Sequence, residues 1–297
     1  MRCACIDIGS NTTRLLVADC RDGALTEVLQ QRDFNRLGQN LRREGRVAPE
    51  KVAEVAEATA AQAAVARRLG ARTIRAVGTA ALRRAGNRAE IVRAIRAASD
   101  LEVEVLSGEE EARLAFVGAT RTLVHAPVGP VGVVDVGGGS SELIVGTLSG
   151  GVSWSASFSV GSGDLSESYV RSDPPGAAEL EAIRACVAGV FEGLAPPPVE
   201  HILAVGGSAT SLRRLVGAVL EPETLARAVR LLGALPAAEL ARRFELDPRR
   251  VRLLPAGILV LEAAAEAFGR RSLLIARGGL REGILLGSAS VADGAAA

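Results

Sequence analysis

Two stretches of this sequence follow the same plan and lie about half the chain apart. Each is a short apolar segment that ends in Asp-x-Gly and continues through small polar residues into a second apolar segment; they are Cys5–Asn11 and Val133–Ser140. Glycine lets a ligand approach such a turn closely, and its successive N–H groups can bind a phosphate. The aspartate can hold a divalent cation. One such turn is common in hairpins, but the repeat predicts two similar domains that face each other across a cleft.

The composition favours a globular protein with an aliphatic core. The chain has 297 residues, enough for two domains, of which 48% are hydrophobic and 3% are aromatic. So few aromatic rings disfavour a site that stacks single-stranded bases. Basic and acidic residues number 35 and 34, a net charge of +1, so no overall field attracts nucleic acid or membranes. We therefore expect neither as a partner.

The cysteine pattern favours a reducing compartment. Cys3 and Cys5 alternate along an apolar segment with no His or second Cys pair nearby, which does not fit a zinc site. The first residues lack the pattern of a secretory signal, and no run approaches the ~18 apolar residues of a membrane span. We expect buried, reduced thiols and a cytoplasmic location.

The apolar pattern predicts three closely spaced strands at each of the two turns. Elsewhere strands are predicted at 73–77, 102–106, 201–205 and 272–275, and long helices at about 49–69, 177–191 and, in one piece, 249–268.

A third turn, Gly206-Gly207-Ser208, follows a predicted strand and opens a predicted helix. Helix N-termini carry free N–H groups and partial positive charge, which suits anions. An ordinary strand-to-helix turn capped by Ser208 is the alternative.

Three adjacent carboxylates, Glu109 to Glu111, follow Ser107, a residue type that caps helices. They fit an exposed helix start, where acids complement the helix dipole. They also fit a site in which one carboxylate orients an attacking water, the main requirement of phosphoryl transfer. Arg83 can bind phosphate bidentately, although a surface role is the better interpretation of this residue without further context. His125 and His201 lack a partner motif and are expected to be solvated or structural.

Together these segments resemble the exopolyphosphatase/guanosine-pentaphosphate phosphatase family, the Ppx/GppA group of the sugar-kinase, Hsp70 and actin superfamily. They occur in family order over almost the whole chain. The matching stretches are Ile6–Thr12, Gly78–Arg83, Ser107–Arg113, Val134–Leu143, Val205–Ser208 and Gly279–Gly283.

The resemblance implies an α/β fold of two ribonuclease H-like domains with an interdomain cleft. The first would span 1–117 and the second 118–282, with a last helix, about 283–297, packing back on the first. Longer members carry an extra C-terminal helical domain, so this chain resembles the short, two-domain type.

By position, the resemblance makes Glu111 the catalytic glutamate that activates water, with Glu110 its neighbour and Asp135 assisting. Magnesium, with manganese as an alternative, is expected at Asp7, Asp135 and Glu142. The implied phosphate-binding residues are Gly9, Ser10, Asn11, Arg83, Gly137, Gly138, Gly139, Ser140, Gly206, Gly207 and Ser208.

The expected reaction is removal of a terminal phosphate from polyphosphate or guanosine pentaphosphate (pppGpp), by metal-assisted in-line attack of water. Which substrate, and which chain length, the sequence leaves open. A phosphotransferase is one alternative, since the same fold houses kinases. A sensor of these anions with little turnover is another. The family makes a homodimer a reasonable expectation.

Overall fold

The computed structural model describes the backbone of residues 1–294 and the side chains through residue 287. The predicted last helix reached about residue 297, so its final three residues lie outside the described part. The chain divides into two compact units, Met1–Gly118 with Leu280–Ala297, and Ala119–Gly279.

The first part of the chain opens with a three-strand meander and then alternates helices and strands. Its elements are β1 (Arg2–Ile8), β2 (Thr13–Arg21), β3 (Ala24–Asp33), α1 (Leu41–Glu44), α2 (Pro49–Arg68), β4 (Thr73–Gly78), α3 (Ala80–Arg84), α4 (Arg88–Ser99), β5 (Val103–Val105) and α5 (Gly108–Arg121). The sheet order is β3-β2-β1-β4-β5. Strands β1 to β3 pair antiparallel, whereas β4 and β5 run parallel to β1.

The second part repeats the meander and then becomes mainly helical. Its elements are β6 (Val131–Val136), β7 (Ser141–Thr147), β8 (Gly151–Phe158), α6 (Ser162–Tyr169), α7 (Ala177–Phe191), β9 (His201–Val205), α8 (Gly206–Val216), β10 (Val219–Leu220), α9 (Pro222–Ala234), α10 (Ala237–Phe244), α11 (Pro248–Val251), α12 (Leu254–Ala267), β11 (Leu273–Ile275) and α13 (Leu280–Gly294). The sheet order is β10-β11-β9-β6-β7-β8.

The two sheets confirm the predicted α/β class and share one topology. In each, an antiparallel meander of three strands is continued on the other side of its first strand by a parallel strand, β4 beside β1 and β9 beside β6. Consequently β1 corresponds to β6 and β2 to β7. The turns that the sequence singled out occupy equivalent places in the two sheets.

Helices cover both faces of the first sheet, which explains why β1 is apolar along nearly its whole length. Ile6 and Ile8 pack in a cluster with α2 and α4, whereas Cys3 and Cys5 pack with Ile284 of α13. The three cysteines of this sheet are buried and unpaired, as expected, whereas Cys186 is unpaired but only partly buried. In the second unit, α7 and α12 contribute much of the core.

One long helix predicted over 249–268 is wrong, because the structure has two helices, α11 and α12. Asp247 caps α11 by accepting a 2.8 Å hydrogen bond from the Arg249 backbone N–H. Pro255 lies in the first turn of α12, where its missing N–H costs nothing. In one continuous helix residue 255 would donate its N–H to the Val251 carbonyl, which a proline cannot do, so α11 ends at Val251 and a new helix begins at Leu254.

The pattern missed α1, α3 and β10, each of which has five residues or fewer. Among the described residues, no helix combines the length and apolar character that crossing a membrane requires.

Candidate active site

The turn between β1 and β2 is a tight loop closed by a 3.0 Å hydrogen bond from the Gly9 N–H to the Thr12 carbonyl. The turn between β6 and β7 is closed in the same way, from the Gly137 N–H to the Ser140 carbonyl at 3.0 Å. A Cβ on either glycine would lie 3.1–3.2 Å from that carbonyl oxygen, which favours glycine at both places. The repeat in the sequence is therefore a repeat in backbone geometry.

The aspartate before the first turn has one oxygen in an ion pair and one without a partner. Asp7 is 1% exposed, and its Oδ2 lies 2.9 Å from Arg14 Nη2. Its Oδ1 is buried without a hydrogen-bond partner, as is the Asn11 side-chain nitrogen. Because buried polar atoms in proteins normally have a hydrogen-bond partner, these two atoms without one indicate that the site binds a ligand.

The aspartate before the second turn has a carboxylate as its cross-strand neighbour. Asp135 and Glu142 are directly paired in register across β6 and β7, so their side chains lie on one face. Glu142 is 2% exposed and accepts a 3.0 Å hydrogen bond from Ser157 on β8. The equivalent partner of Asp7 is Arg14. The second unit therefore places two carboxylates side by side where the first unit places a carboxylate beside a guanidinium.

The third turn lies against Asp135. Gly206 has φ 88°, and a Cβ on it would be 2.5 Å from Asp135 Oδ1. Only glycine is compatible with both the backbone conformation and this close approach. The structure thus brings Gly206 and Asp135 together at the carboxyl ends of β9 and β6.

Two features of this third turn could not be read from the sequence. The guanidinium of Arg250, which is 5% exposed, lies 2.7 Å from where a Cβ on Gly207 would be. The Ser208 hydroxyl is fully buried against Gly257 of α12 and has no hydrogen-bond partner. In this structure, the turn presents its backbone rather than that hydroxyl.

The backbone carbonyls of the second turn are bound by the start of α6. The Gly138 carbonyl accepts hydrogen bonds from the N–H groups of Gly163 (2.9 Å) and Asp164 (3.0 Å). A Cβ on Gly161 would be 2.5 Å from the Gly139 nitrogen. The turn is therefore held by α6 from one side, which preorganises its N–H groups.

The glutamate-rich segment forms the N-terminal helical turn of α5, as predicted. The Ser107 hydroxyl accepts a 3.1 Å hydrogen bond from the Glu110 N–H, which makes Ser107 the cap. Glu110 binds Arg113 through two hydrogen bonds of 2.8 and 2.9 Å, and these lower the pKa of Glu110. Glu110 is therefore engaged in a surface ion pair along its own helix.

Glu111 differs from its neighbours because it is buried. It is 7% exposed, and its Oε2 accepts a 2.5 Å hydrogen bond from Arg83 Nη1, which also donates to the Leu106 carbonyl at 3.0 Å. In this structure Arg83 thus orients Glu111. The phosphate-binding role implied for Arg83 stays a prediction.

Sheet topology explains how these segments meet. Strands β1, β4 and β5 run parallel, so their carboxyl ends share one edge of the sheet. The first turn follows β1, Arg83 follows β4, and Glu111 follows β5. In open α/β sheets this edge is where ligands bind.

Sequence reasoning missed a segment that holds the first turn in place. The N–H groups of Arg36 and Gly38 donate to the carbonyls of Asn11 (3.1 Å) and Ser10 (2.7 Å). Arg36 has φ 48°, a left-handed conformation uncommon outside glycine, and its side chain is exposed. The only sequence signal was an Arg-Leu-Gly between β3 and α1, which no pattern distinguishes from a loop.

The comparisons with known proteins place these observations in a family. The model of the Ppx/GppA phosphatase family matches residues 16–291. The chain belongs to this family. The resemblance stated from the motifs is thereby confirmed.

Relatives within the Ppx/GppA family differ in length. Exopolyphosphatase 2 of Mycobacterium tuberculosis is 30% identical, with 91% of this chain and 92% of that protein covered. The guanosine-5'-triphosphate,3'-diphosphate pyrophosphatase of Aeromonas hydrophila is 29% identical over 96% of this chain, which spans only 58% of that relative.

Solved structures share the fold. A crystal structure of the Aquifex aeolicus member of the Ppx/GppA family has 29% identity and a TM-score of 0.80, with 99% of both chains covered. An exopolyphosphatase from Cytophaga hutchinsonii, at 20% identity, has a TM-score of 0.88 over 98% of both chains and so shows the same fold.

The predicted metal residues fit magnesium by their chemistry. Asp7 keeps a buried oxygen without a hydrogen-bond partner, and Asp135 and Glu142 are adjacent on one face. Among the described side chains, no three His, Cys, Asp or Glu residues cluster as a metal cage. Magnesium seldom uses such a cage, because it keeps several waters and takes one or two carboxylates together with substrate phosphates.

Proposed function

We propose that this chain hydrolyses terminal phosphoanhydride bonds, with polyphosphate or guanosine pentaphosphate as the substrate. The relatives whose names state these two activities, exopolyphosphatase and guanosine pentaphosphate pyrophosphatase, support both substrates. The observation that supports hydrolysis most is Glu111, a buried carboxylate that Arg83 holds at the same edge of the sheet as the first turn.

In this proposal the backbone N–H groups of Ser10 and Asn11 in the first turn, and of Gly138 to Ser140 in the second, bind the terminal phosphate. The N–H groups of Gly9 and Gly137 stay in the hydrogen bonds that close the turns. Glu111 accepts a hydrogen bond from the attacking water and orients it in line with the leaving oxygen. Glu110 stays in its ion pair with Arg113. That both turns serve one phosphate chain remains a prediction.

Asp135 and Glu142, with Asp7, would hold Mg²⁺ or Mn²⁺, mostly through water. The ion would neutralise charge that develops on the phosphate oxygens. Two neighbours position these carboxylates for the ion. The Ser157 hydroxyl orients Glu142, and Gly206 has no side chain that would collide with Asp135.

The test is phosphate release by Glu111→Gln. Turnover should fall by about 100-fold or more, the usual contribution of a positioned general base. Binding of tripolyphosphate should change by only a few-fold, because Glu111 does not hold the phosphates. Glu109→Gln is the matched control, since Glu109 is an exposed neighbour on the same turn and should keep full activity.

The outcome that counts against the assignment is an equal loss of binding and turnover in Glu111→Gln. The substrate panel is polyphosphates of several lengths, pppGpp and ATP, with no acceptor added. Release of phosphate without an acceptor separates a hydrolase from a phosphotransferase. Tight binding with negligible release over hours would instead support a sensor.

We further propose that the chain works as a homodimer in the cytoplasm. The buried, unpaired cysteines of the first sheet support a reducing compartment. Light scattering on the purified chain measures the dimer directly, and a monomeric mass at micromolar concentration would contradict it.

A further inference from the structure

A groove of about 940 Å³ lies wholly within the second unit. It is bounded by the segment 122–128, by strands β9 to β11 and by Arg213 of α8. None of its lining residues belongs to the turns at Gly137–Ser140 or Gly206–Ser208. The groove is therefore a separate place from the proposed reaction site. Its size lies within the range of small-molecule sites, about 300–1,000 Å³.

The polar lining of the groove is strongly cationic. Four arginines, Arg213, Arg270, Arg271 and Arg277, line it together with a single carboxylate, Glu200. Arg270 donates to the Val199 carbonyl, and Arg271 lies 3.4 Å from Glu223, a weak exposed pair.

Arg213 and Arg277 have no such neighbours. Both are exposed, and neither side chain forms a hydrogen bond or ion pair with a described residue. The two guanidinium groups are therefore available to a ligand. Planar arginine forks match phosphate oxygens in geometry as well as in charge.

The same groove also gathers exposed aliphatic side chains. Eight large apolar residues among those described are exposed by more than a third, and four of them line the groove: Val124 (82%), Val128 (79%), Val219 (50%) and Leu274 (41%). Exposed apolar side chains are normal when scattered, but a cluster marks a binding surface. The ligand must accordingly have an apolar part.

We propose that this groove binds a nucleoside polyphosphate, with the phosphates on Arg213 and Arg277 and the nucleoside against the aliphatic residues. A bare phosphate chain would leave the four apolar side chains in water. An aliphatic ligand would leave the arginines without a counter-charge. A nucleotide satisfies both, since a base presents flat apolar faces that aliphatic side chains can cover. The inference stands whether or not the chain is a hydrolase.

The test is calorimetric titration of the full-length chain with the β,γ-imido analogue of GTP and, separately, with tripolyphosphate. Arg213→Ala/Arg277→Ala should weaken binding of the analogue at the groove at least tenfold. Arg227→Ala/Arg230→Ala is the matched control, because these two arginines of α9 are also exposed and lie in the same unit but do not line the groove. Analogue bound at the turns would appear as a second class of sites that both variants retain.

A second variant tests the apolar half of the groove. Val219→Ser/Leu274→Ser should weaken binding of the GTP analogue several-fold and leave binding of tripolyphosphate unchanged. Tripolyphosphate that binds the groove as tightly as the analogue would overturn the nucleoside part of the proposal. Unchanged analogue binding in both groove variants would overturn the whole.

Catalysis provides the remaining check. Phosphate release from tripolyphosphate should be the same in Arg213→Ala/Arg277→Ala as in the unmodified chain. A loss of release equal to the loss of binding would show that the groove belongs to the reaction site and overturn a separate site. If the unmodified chain releases no phosphate from any substrate, the proposed function fails, while the titrations still decide the groove.

Discussion

Arg36 occupies a strained conformation beside the first turn. A left-handed backbone costs a non-glycine residue about 1 kcal/mol, and such strain tends to persist at functional sites. Two backbone hydrogen bonds and the fully buried Leu37 hold the segment in this conformation. The exposed guanidinium has no partner among the described residues. It is therefore suited to bind a substrate phosphate.

Arg36→Ala should raise the KM for tripolyphosphate about tenfold, the effect of losing one charge-assisted hydrogen bond, and change kcat much less. Steady-state phosphate release measures both. Arg42→Ala, which removes an exposed arginine of α1 nearby, should leave KM unchanged.

The Arg36→Gly variant separates the effect of the guanidinium charge from the effect of the strained backbone. It should raise KM as much as Arg36→Ala while stabilising the fold, since glycine adopts this φ freely. If KM stays normal in both variants, Arg36 only shapes the turn.

At the scale of elements, α13 and α5 cross so closely that the contact requires glycine. A Cβ on Gly283 would overlap the Leu114 carbonyl oxygen and lie 3.1 Å from the Gly118 nitrogen. Backbone atoms cannot move aside as a side chain can, so one helix would have to shift.

Gly283→Ala should destabilise the chain by about 2 kcal/mol or more through this overlap. Gly287→Ala is the matched control on the same helix, because a Cβ there meets nothing within 4 Å. That control should stabilise by about 0.5–1 kcal/mol through helix propensity. Urea unfolding measures both, and equal stability of the two variants would show that the crossing is loose.

The loop before α7 is closed by one carboxylate. Glu179 accepts hydrogen bonds from the Ser172 hydroxyl (2.5 Å), the Gly176 N–H (2.8 Å) and the Arg171 N–H (2.6 Å). These bonds lower the pKa of Glu179 to about 2. Because its folded pKa lies below its unfolded value of about 4.3, Glu179 stabilises the fold above that pH. This stabilisation is lost as the pH falls toward 2.

Glu179→Gln should therefore lower Tm at pH 7, and the difference from the unmodified chain should shrink steadily below pH 4.5. Thermal unfolding followed by circular dichroism between pH 7 and pH 3 measures this. Glu181→Gln, an exposed neighbour on α7, should show no such trend. A Tm difference that stays constant with pH would mean that the Glu179 charge does not matter.

At the scale of the whole molecule, one topology used twice has diverged in charge. The place occupied by Arg14 in the first sheet is occupied by Glu142 in the second. One sheet therefore places a guanidinium opposite its aspartate, whereas the other places a second carboxylate there. Two neighbouring carboxylates support the proposed catalytic Mg²⁺, which takes one or two carboxylates together with substrate phosphates.

Chelation should consequently abolish turnover without unfolding the chain. Excess EDTA should reduce phosphate release at least 100-fold and shift Tm by no more than about 2 °C, since Mg²⁺ bound through water and substrate contributes little to the fold. Added MgCl₂ should restore activity. A large fall in Tm would identify a structural metal instead.

Sequence patterns alone were enough to predict the class of fold, the positions of most strands and helices, and the turns that bear the candidate residues. These features follow from short-range chemistry: apolar spacing, glycine in tight turns, and caps such as Ser107. The same reasoning erred over 249–268, where a proline in the next helix outweighed the apolar pattern.

The partner of each candidate residue depends on the packing of the folded chain and could not be predicted. Three contacts of the site join residues that lie 25 to 43 positions apart in the sequence. They are the hydrogen bond of Arg83 to Glu111, the approach of Arg250 to Gly207, and the hydrogen bonds of the Arg36 segment to the first turn. Such contacts depend on register and packing, and a shift of one residue in a strand would move its side chains to the opposite face. Local sequence patterns contain no information about register or packing. They therefore indicated where the site lies but not which of its residues contact each other.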